Sequence, residues 1–122
     1  MEKYFIILSV FILLYAFPAF SRDWKKEDTQ REIIWTAILF VDYGQTMNIA
    51  KNPDKYYEYN PILGKHPSPS SVDIYMLSAA ILHPVISYYL PPNYRKWWQY
   101  ITIGIEMGAI TNNFIAGIGI SF

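Results

Sequence analysis

Apolar residues form four long runs along this chain, separated by polar or proline-rich segments. The first run covers residues 4–14, and the others begin near residues 33, 72 and 101. An α-helix needs about 20 predominantly apolar residues to cross the hydrocarbon core of a membrane. The pattern therefore predicts an all-α protein, a small helical membrane bundle with three helices after an N-terminal signal-like or signal-anchor segment.

Capping and stop signals predict where the three helices begin and end. Thr29 to Glu32 matches a capping box, in which the two end side chains accept hydrogen bonds from free N–H groups. Asn52-Pro53 and Pro91-Pro92 are typical of helix ends. We expect a single helical membrane domain over residues 22–122, with helices at about residues 30–50, 72–90 and 96–115.

The serines before the second helix also resemble a cap. In Ser70-Ser71-Val72-Asp73 the carboxylate of Asp73 falls in the first helical turn, where free N–H groups and the positive helix end favour an acid. The sequence thus predicts a structural capping role for Asp73.

Residues 1–21 have the parts of a secretory signal. A short charged start precedes an apolar stretch, and Ala19-Phe20-Ser21 matches a small-residue cleavage site. The alternative is an uncleaved first membrane helix that ends at Pro18. In both cases the chain is directed to a membrane, which we expect to be the inner membrane of a bacterial cell. A periplasmic location is the alternative.

Composition narrows the classes of function. The 122 residues suit one domain, and the net charge of zero gives no indication of nucleic-acid binding. Eleven Tyr, seven Phe and four Trp are typical of proteins whose aromatic side chains lie at a membrane–water boundary. The absence of cysteine excludes disulfides, thiolate metal sites and cysteine nucleophiles.

Polar residues interrupt the apolar stretches and form the candidate site. An ionisable group inside a membrane span costs a few kcal/mol unless it is paired, so we expect these side chains to converge. They could act as hydrogen-bonded contacts between helices, share protons, or hold a divalent metal through Asp42, His83 and Glu106. The candidates for this ligand site or polar cluster are Asp42, Gln45, Glu58, Asn60, His83, Glu106 and Asn113.

Two further motifs have a structural and a functional interpretation. The segment Glu58 to Gly64 is either an Asn-Pro turn or a re-entrant loop that brings Glu58 and Asn60 to the polar centre. Gly104 and Gly108 form a GxxxG pair, which allows another helix to approach closely. We expect the partners to be the lipid bilayer and, through these glycines, a second copy or another membrane protein.

The polar motifs resemble those of known proteins. The pattern Asp42-x-x-Gln45-Thr46, followed by Glu58-x-Asn60-Pro61, resembles short bacterial and phage multi-helix membrane proteins that carry a domain of unknown function. This resemblance implies no activity. It does imply that these residues work as one unit.

The sequence favours a structural or interaction protein of the membrane over an enzyme. It contains no G-x-S-x-G, HExxH or glycine-rich phosphate loop. We expect no cofactor, with a divalent metal at the polar cluster as the exception. The first alternative is a membrane module that binds a proton, a metal or a small ligand, and the second is an exported soluble helical protein.

Overall fold

Four α-helices make up the part of the fold that the structure describes. The structure is a computed structural model that describes residues 2–16 and 23–122, and no strand occurs in these two ranges. The predicted all-α class and helical bundle are confirmed, whereas the predicted cleavage site at residues 19–21 lies outside the described residues. The helices are α1 (Glu2–Ala16), α2 (Lys26–Lys51), α3 (Pro69–Tyr89) and α4 (Pro92–Ile115).

Helix α2 begins four residues before the predicted start near Gln30. The Asp28 carboxylate accepts a hydrogen bond from the backbone N–H of Lys25 at 2.9 Å, which satisfies a free donor at the helix start. The Thr29 hydroxyl accepts a hydrogen bond from the indole of Trp24 at 2.8 Å and is not the N-cap. The predicted capping box at Thr29 is therefore wrong.

Helix α3 also begins earlier than predicted, and Asp73 does not cap it. Ser68 is the N-cap, and its hydroxyl accepts a hydrogen bond from the backbone N–H of Ser71 at 3.1 Å. The carboxylate of Asp73 instead accepts a hydrogen bond from the Tyr43 hydroxyl and pairs with the Lys3 ammonium at 2.9 Å. Asp73 thus connects α3 with α2 and α1.

The apolar core lies along one face of α2, the helix that contacts both α3 and α4. Its α2 members are four residues apart, a spacing that puts them on one side of a helix. Val72 and Met76 of α3 pack against them, with Ile7 of α1 at the edge. The buried α2 residues of this core are Trp35, Leu39, Tyr43 and Met47 at this spacing, and Ala50 three residues after Met47.

Helix α4 ends in a Schellman motif. Gly117 has a φ of 79°, a left-handed conformation that glycine adopts without steric strain. The backbone N–H of Gly117 donates to the carbonyl of Phe114 at 3.0 Å, and that of Ile118 donates to the carbonyl of Asn113 at 2.9 Å. The turn directs the last residues of the chain back along α2.

The C-terminal segment, residues 118–122, packs on α2 at Gly44. The backbone N–H of Ser121 donates to the carbonyl of Gly44 at 3.0 Å, and the Asn48 amide donates to the carbonyl of Gly119 at 2.9 Å. A Cβ atom on Gly44 would overlap the side chain of Ile120. Glycine is therefore the residue that this close approach requires.

We predict that Gly44→Ala releases the C-terminal segment while Gly104→Ala does not. Alanine in a helix interior is favoured over glycine by roughly 0.5–1 kcal/mol in both variants. A Cβ at Gly104 meets no described atom within 4 Å, so only Gly44→Ala introduces a clash. Hydrogen exchange at the Ser121 amide should accelerate in Gly44→Ala alone. Equal protection in the two variants would contradict the proposed close packing.

Candidate functional site

The polar residues that the sequence singled out lie in separate groups. Gln45 and Asn113 form an amide pair, and His83 belongs to a network of other residues. The Asn60 side chain accepts a hydrogen bond within its own turn, from the backbone N–H of Ile62 at 2.9 Å. The remaining three residues form what we call the carboxyl cluster, which consists of Asp42, Glu58 and Glu106.

His83 has a partner on each of its ring nitrogens. Nδ1 lies 2.9 Å from Oε2 of Glu32, and Nε2 lies 2.7 Å from the hydroxyl of Thr102. Because a carboxylate only accepts hydrogen bonds, Nδ1 donates to Glu32. His83 therefore does not join Asp42 and Glu106 as the sequence suggested. The described residues contain no group of three or more His, Asp and Glu side chains suited to a metal ion.

The imidazole of His83 is also held between two indole rings. The Trp35 ring stacks on it with centroids 3.7 Å apart and planes 8° apart. The Trp98 ring is also stacked with it, at 5.0 Å and 26°. This packing and the two hydrogen bonds fix the orientation of the ring.

Arg95, in the first turn of α4, is the most highly connected polar side chain of this region. Its guanidinium donates to the carbonyls of Ser87 at 2.7 Å and Leu90 at 3.1 Å, which lie at the end of α3. It also donates to the Asp28 carboxylate at 3.1 Å and lies over the ring of Trp24. One side chain thus joins the start of α2, the end of α3 and the start of α4.

Further hydrogen bonds extend from Asp28 to Glu32. Arg31 pairs with the Asp28 carboxylate and donates to the Gln99 side-chain oxygen at 2.6 Å. The Gln99 amide donates to Oε1 of Glu32 at 2.9 Å, and Ser87 donates to the same oxygen. We call this set the charged network; its members are Asp28, Arg31, Glu32, His83, Ser87, Arg95 and Gln99.

The charged network is buried and balanced in charge. Arg95 is 2% exposed and Gln99 is fully buried. Two carboxylates, Asp28 and Glu32, are matched by two guanidinium groups, Arg31 and Arg95. Burial of ions is tolerated when they are paired and their remaining hydrogen-bonding atoms are satisfied, as here. The network therefore fixes how three helices meet.

Among the members of the charged network, only His83 was a candidate site residue predicted from the sequence. The capping box predicted from the sequence places Glu32 at the start of a helix, where its side chain would accept a hydrogen bond from a free N–H group. Helical spacing does carry a signal, because Asp28 and Glu32 lie seven and three residues before Trp35 and share its face. A buried tryptophan on that face implies that the two acids are buried as well.

The carboxyl cluster has no such balance. The carboxyl groups of Asp42 and Glu106 lie within hydrogen-bond reach of each other, and Glu58 is close enough for its charge to interact with both. Since a carboxylate cannot donate, a direct bond between two carboxyl groups requires a shared proton. Oε2 of Glu58 and Oε2 of Glu106 are buried and accept no hydrogen bond from any described residue.

An amide pair adjoins this region on the same two helices. The Asn113 amide of α4 donates to the Gln45 side-chain oxygen of α2 at 3.1 Å. The Gln45 amide donates to the carbonyl of Ile110 at 3.3 Å. Both side chains are buried, so they specify the register between α2 and α4 as polar contacts.

The loop after α2 contains the Glu-x-Asn-Pro motif, which forms a turn and also holds Glu58 near Asp42. It is a turn, because the backbone N–H of Asn60 donates to Oε1 of Glu58 at 2.9 Å and that of Gly64 donates to the carbonyl of Asn60 at 3.0 Å. Gly64 has a φ of 78°, which suits glycine. The charge of Glu58 nevertheless interacts with Asp42 and Glu106, whereas the Asn60 side chain is hydrogen-bonded within the turn.

A cavity of about 440 Å³ lies within this loop. Glu58 and Lys65 line it together with the hydroxyl-paired rings of Tyr57 and Tyr59. The hydrogen bond between the Tyr57 and Tyr59 hydroxyls raises the pKa of the exposed Tyr59. Tyr59 and Lys65 are exposed, so the loop cavity is open to solvent.

A second cavity, which we call the lateral cleft, lies between α3 and α4 and has a volume of about 190 Å³. His83, Thr102 and Glu106 contribute its polar atoms. Its remaining lining is aliphatic or aromatic, and several of these side chains are exposed, so the cleft opens on an apolar surface. The apolar lining residues are Trp35, Tyr75, Ala79, Leu82, Ile86, Trp98 and Ile105.

The GxxxG pair faces away from the rest of the chain. Gly104 and Gly108 are exposed, and a Cβ at either position meets no described atom within 4 Å. These glycines therefore do not serve the packing of α4 on α2 or α3. A role in contacting another helix stays a prediction.

No protein-family model, curated protein or solved structure matches this chain. The resemblance to membrane proteins with the Asp-x-x-Gln-Thr pattern therefore stays a prediction, and function is inferred from the arrangement of the side chains.

We predict that Arg95→Met lowers the free energy of unfolding by about 3 kcal/mol or more, because the buried carboxylate of Asp28 and several carbonyls lose their donor. The neighbouring Lys96 is exposed, so Lys96→Met should change stability by roughly 0.5 kcal/mol or less. Denaturant titration of the two purified variants measures the difference. Similar midpoints for both variants would show that the charged network contributes little.

Proposed function

We propose that this chain is a small integral membrane protein with a structural or interaction role. Its hydrogen-bonded polar interior would hold three helices in a fixed arrangement, and its apolar exterior would contact lipid or other membrane helices. The observation that carries the proposal is the distribution of polarity, because many large apolar side chains are exposed while several polar and charged side chains are buried between the helices.

The exterior of the three longer helices is rich in large apolar side chains. A soluble monomer rarely exposes contiguous apolar patches of more than a few hundred Å². Here such residues recur along α3 and α4 and over residues 33–40 of α2, as expected for helices in contact with lipid tails. The exposed residues include Ile33, Ile34, Phe40, Ile74, Ile81, Leu82, Ile86, Ile101, Ile105, Met107, Phe114 and Ile115.

The interior, in contrast, contains polar side chains with complete sets of partners. Gln45, Arg95 and Gln99 are among the most deeply buried residues of the described chain. In a membrane, polar side chains that face the bundle interior and bond across helices stabilise helix association. The charged network and the amide pair have this placement.

Hydropathy alone gives weaker support. Among the described helices, only α3 is long and apolar enough by composition to cross a membrane, and 28% of its most apolar window is buried. Helices α2 and α4 have 26 and 24 residues, or about 36–39 Å at 1.5 Å per residue, which is also sufficient to span. Their polar residues lower their hydropathy, but many of these residues are buried.

Membrane insertion is testable by extraction and by cysteine labelling. We predict that carbonate washing leaves the protein in the membrane pellet. The chain contains no cysteine, so single substitutions can be labelled selectively. Ile81→Cys, at a residue that is 48% exposed, should resist a membrane-impermeant maleimide because lipid covers it. Lys55→Cys, in the exposed loop, should react after the membrane is opened.

Rapid labelling of both cysteines in intact, folded protein would contradict membrane insertion. Release of the protein by carbonate would do the same. Those two results together would favour the exported soluble protein, in which the apolar surface would have to be covered by a second copy.

A ligand-binding membrane module is the second candidate, favoured by the buried oxygens of Glu58 and Glu106 that accept no hydrogen bond. The variant Glu106→Gln separates the two candidates. An amide can donate to Asp42, so we predict that the thermal midpoint of Glu106→Gln equals or exceeds that of the original protein. If the carboxyl cluster is purely structural, the protein should also keep its cellular function in this variant. Loss of function at retained stability would indicate a ligand.

A further inference from the structure

We propose that the lateral cleft binds a membrane-borne amphiphile with a primary ammonium head group, which donates hydrogen bonds to Glu106 and places its hydrocarbon chain against the apolar lining. This proposal deepens the proposed function and depends on it, because the ligand is expected to arrive from the lipid phase.

The first step of the argument is the missing positive charge at the carboxyl cluster. The protein pairs its other two buried carboxylates, Asp28 and Glu32, with guanidinium or imidazole groups. None of Asp42, Glu58 and Glu106 forms an ion pair within the described part of the chain. Asp42 and Glu106, which lie within hydrogen-bond reach of each other and interact with the charge of Glu58, require a proton or an external cation.

The second step is the hydrogen-bonding deficit. Buried polar atoms in folded proteins nearly always have a partner, so two unpaired oxygens in one cluster need an explanation. They are Oε2 of Glu58, which lines the loop cavity, and Oε2 of Glu106, which lines the lateral cleft. Each unpaired oxygen is itself buried, but it belongs to a residue that lines open space, so a donor in that space would lie beside the carboxyl group.

The third step identifies the kind of cation. The described side chains include no group suited to a metal ion, so the cation should bind through directional hydrogen bonds. An ammonium group donates three of them and carries one positive charge. It can also interact favourably with the faces of aromatic rings, and Trp35 and Trp98 line the same cleft.

The fourth step gives the rest of the ligand. Except for His83, Thr102 and Glu106, the cleft is lined by apolar side chains, and Leu82, Ile86 and Ile105 are exposed at its opening. A volume of about 190 Å³ equals roughly six water molecules at about 30 Å³ each, enough for an amine and the first part of a chain. The remainder of the chain would lie on the apolar surface between α3 and α4.

Calorimetric titration with matched eight-carbon probes tests this assignment. The full chain in phosphatidylcholine nanodiscs is titrated with n-octylamine, n-octanol or octanoate, and the heat from empty nanodiscs is subtracted. We expect octylamine to bind at least tenfold more tightly than octanol, and octanoate to bind least. Equal affinity for octylamine and octanol would overturn the proposal, because the carboxyl cluster would then be satisfied by protons alone.

Substitutions locate the binding site. Glu106→Gln should weaken octylamine binding at least tenfold and leave octanol binding unchanged, whereas Glu27→Gln, at an exposed acid of α2, should affect neither. Asp42→Asn is the second test of the cluster, with the same expectation as Glu106→Gln. Ala79→Leu, which fills the cleft, should weaken both probes. Octylamine binding that survives Glu106→Gln and Ala79→Leu would place the amine elsewhere and reject the site.

The same titration in detergent solution tests the ligand site independently of the proposed membrane location. Selective octylamine binding by a protein that carbonate releases would retain the site and reject the membrane location. Absence of selectivity in a protein that resists carbonate would reject the site alone.

Discussion

The arrangement of the helices depends on the pairing of buried charges around Arg95. A guanidinium that is 2% exposed can be held only where every one of its donors finds an acceptor, and here these are Asp28 and carbonyls at the end of α3. The arrangement allows little variation, because movement of any one helix would leave a buried ion unpaired. Gln99 and Glu32 extend the same constraint to His83. Apolar packing alone would allow the helices to slide along one another, and the hydrogen bonds of this network prevent that movement.

The sequence predicted the helices well, because long apolar runs and prolines are local signals. It was less accurate where the partner of a side chain lies far along the chain. Asp73 fits local capping rules, yet it binds Tyr43, which lies 30 positions away and is brought near only in the folded protein. The partners of His83 were wrong for the same reason, since Glu32 is 51 positions away. Glu58 lies seven residues after the end of α2, and its charge interacts with Asp42 of that helix from the following loop.

The two groups of buried carboxylates in the described chain differ in a way that bears on function. Asp28 and Glu32 lie where α2, α3 and α4 meet and are matched by guanidinium groups and donors from all three. Asp42 and Glu106 lie beside a cleft and receive one hydroxyl hydrogen bond, from Thr46 to Asp42 at 3.2 Å. A complete network rigidifies a fold, whereas an incomplete one stores free energy that a bound donor can recover. The structural role and the ligand site that we propose therefore occupy different parts of the same bundle.

The burial of polar side chains explains why the mean hydropathy of α2 and α4 is low although their exposed surfaces carry many large apolar side chains. Averaged along the sequence, Gln45, Gln99 and Asn113 make α2 and α4 look too polar for a membrane. In the structure these three side chains are buried, and the surfaces left exposed are largely isoleucine, leucine and aromatic residues. A helix in lipid is constrained by the polarity of the face that contacts lipid, since inward side chains can satisfy one another. For a small bundle with a polar interior, the polarity of the exposed side chains therefore indicates the surroundings better than the mean hydropathy of each helix.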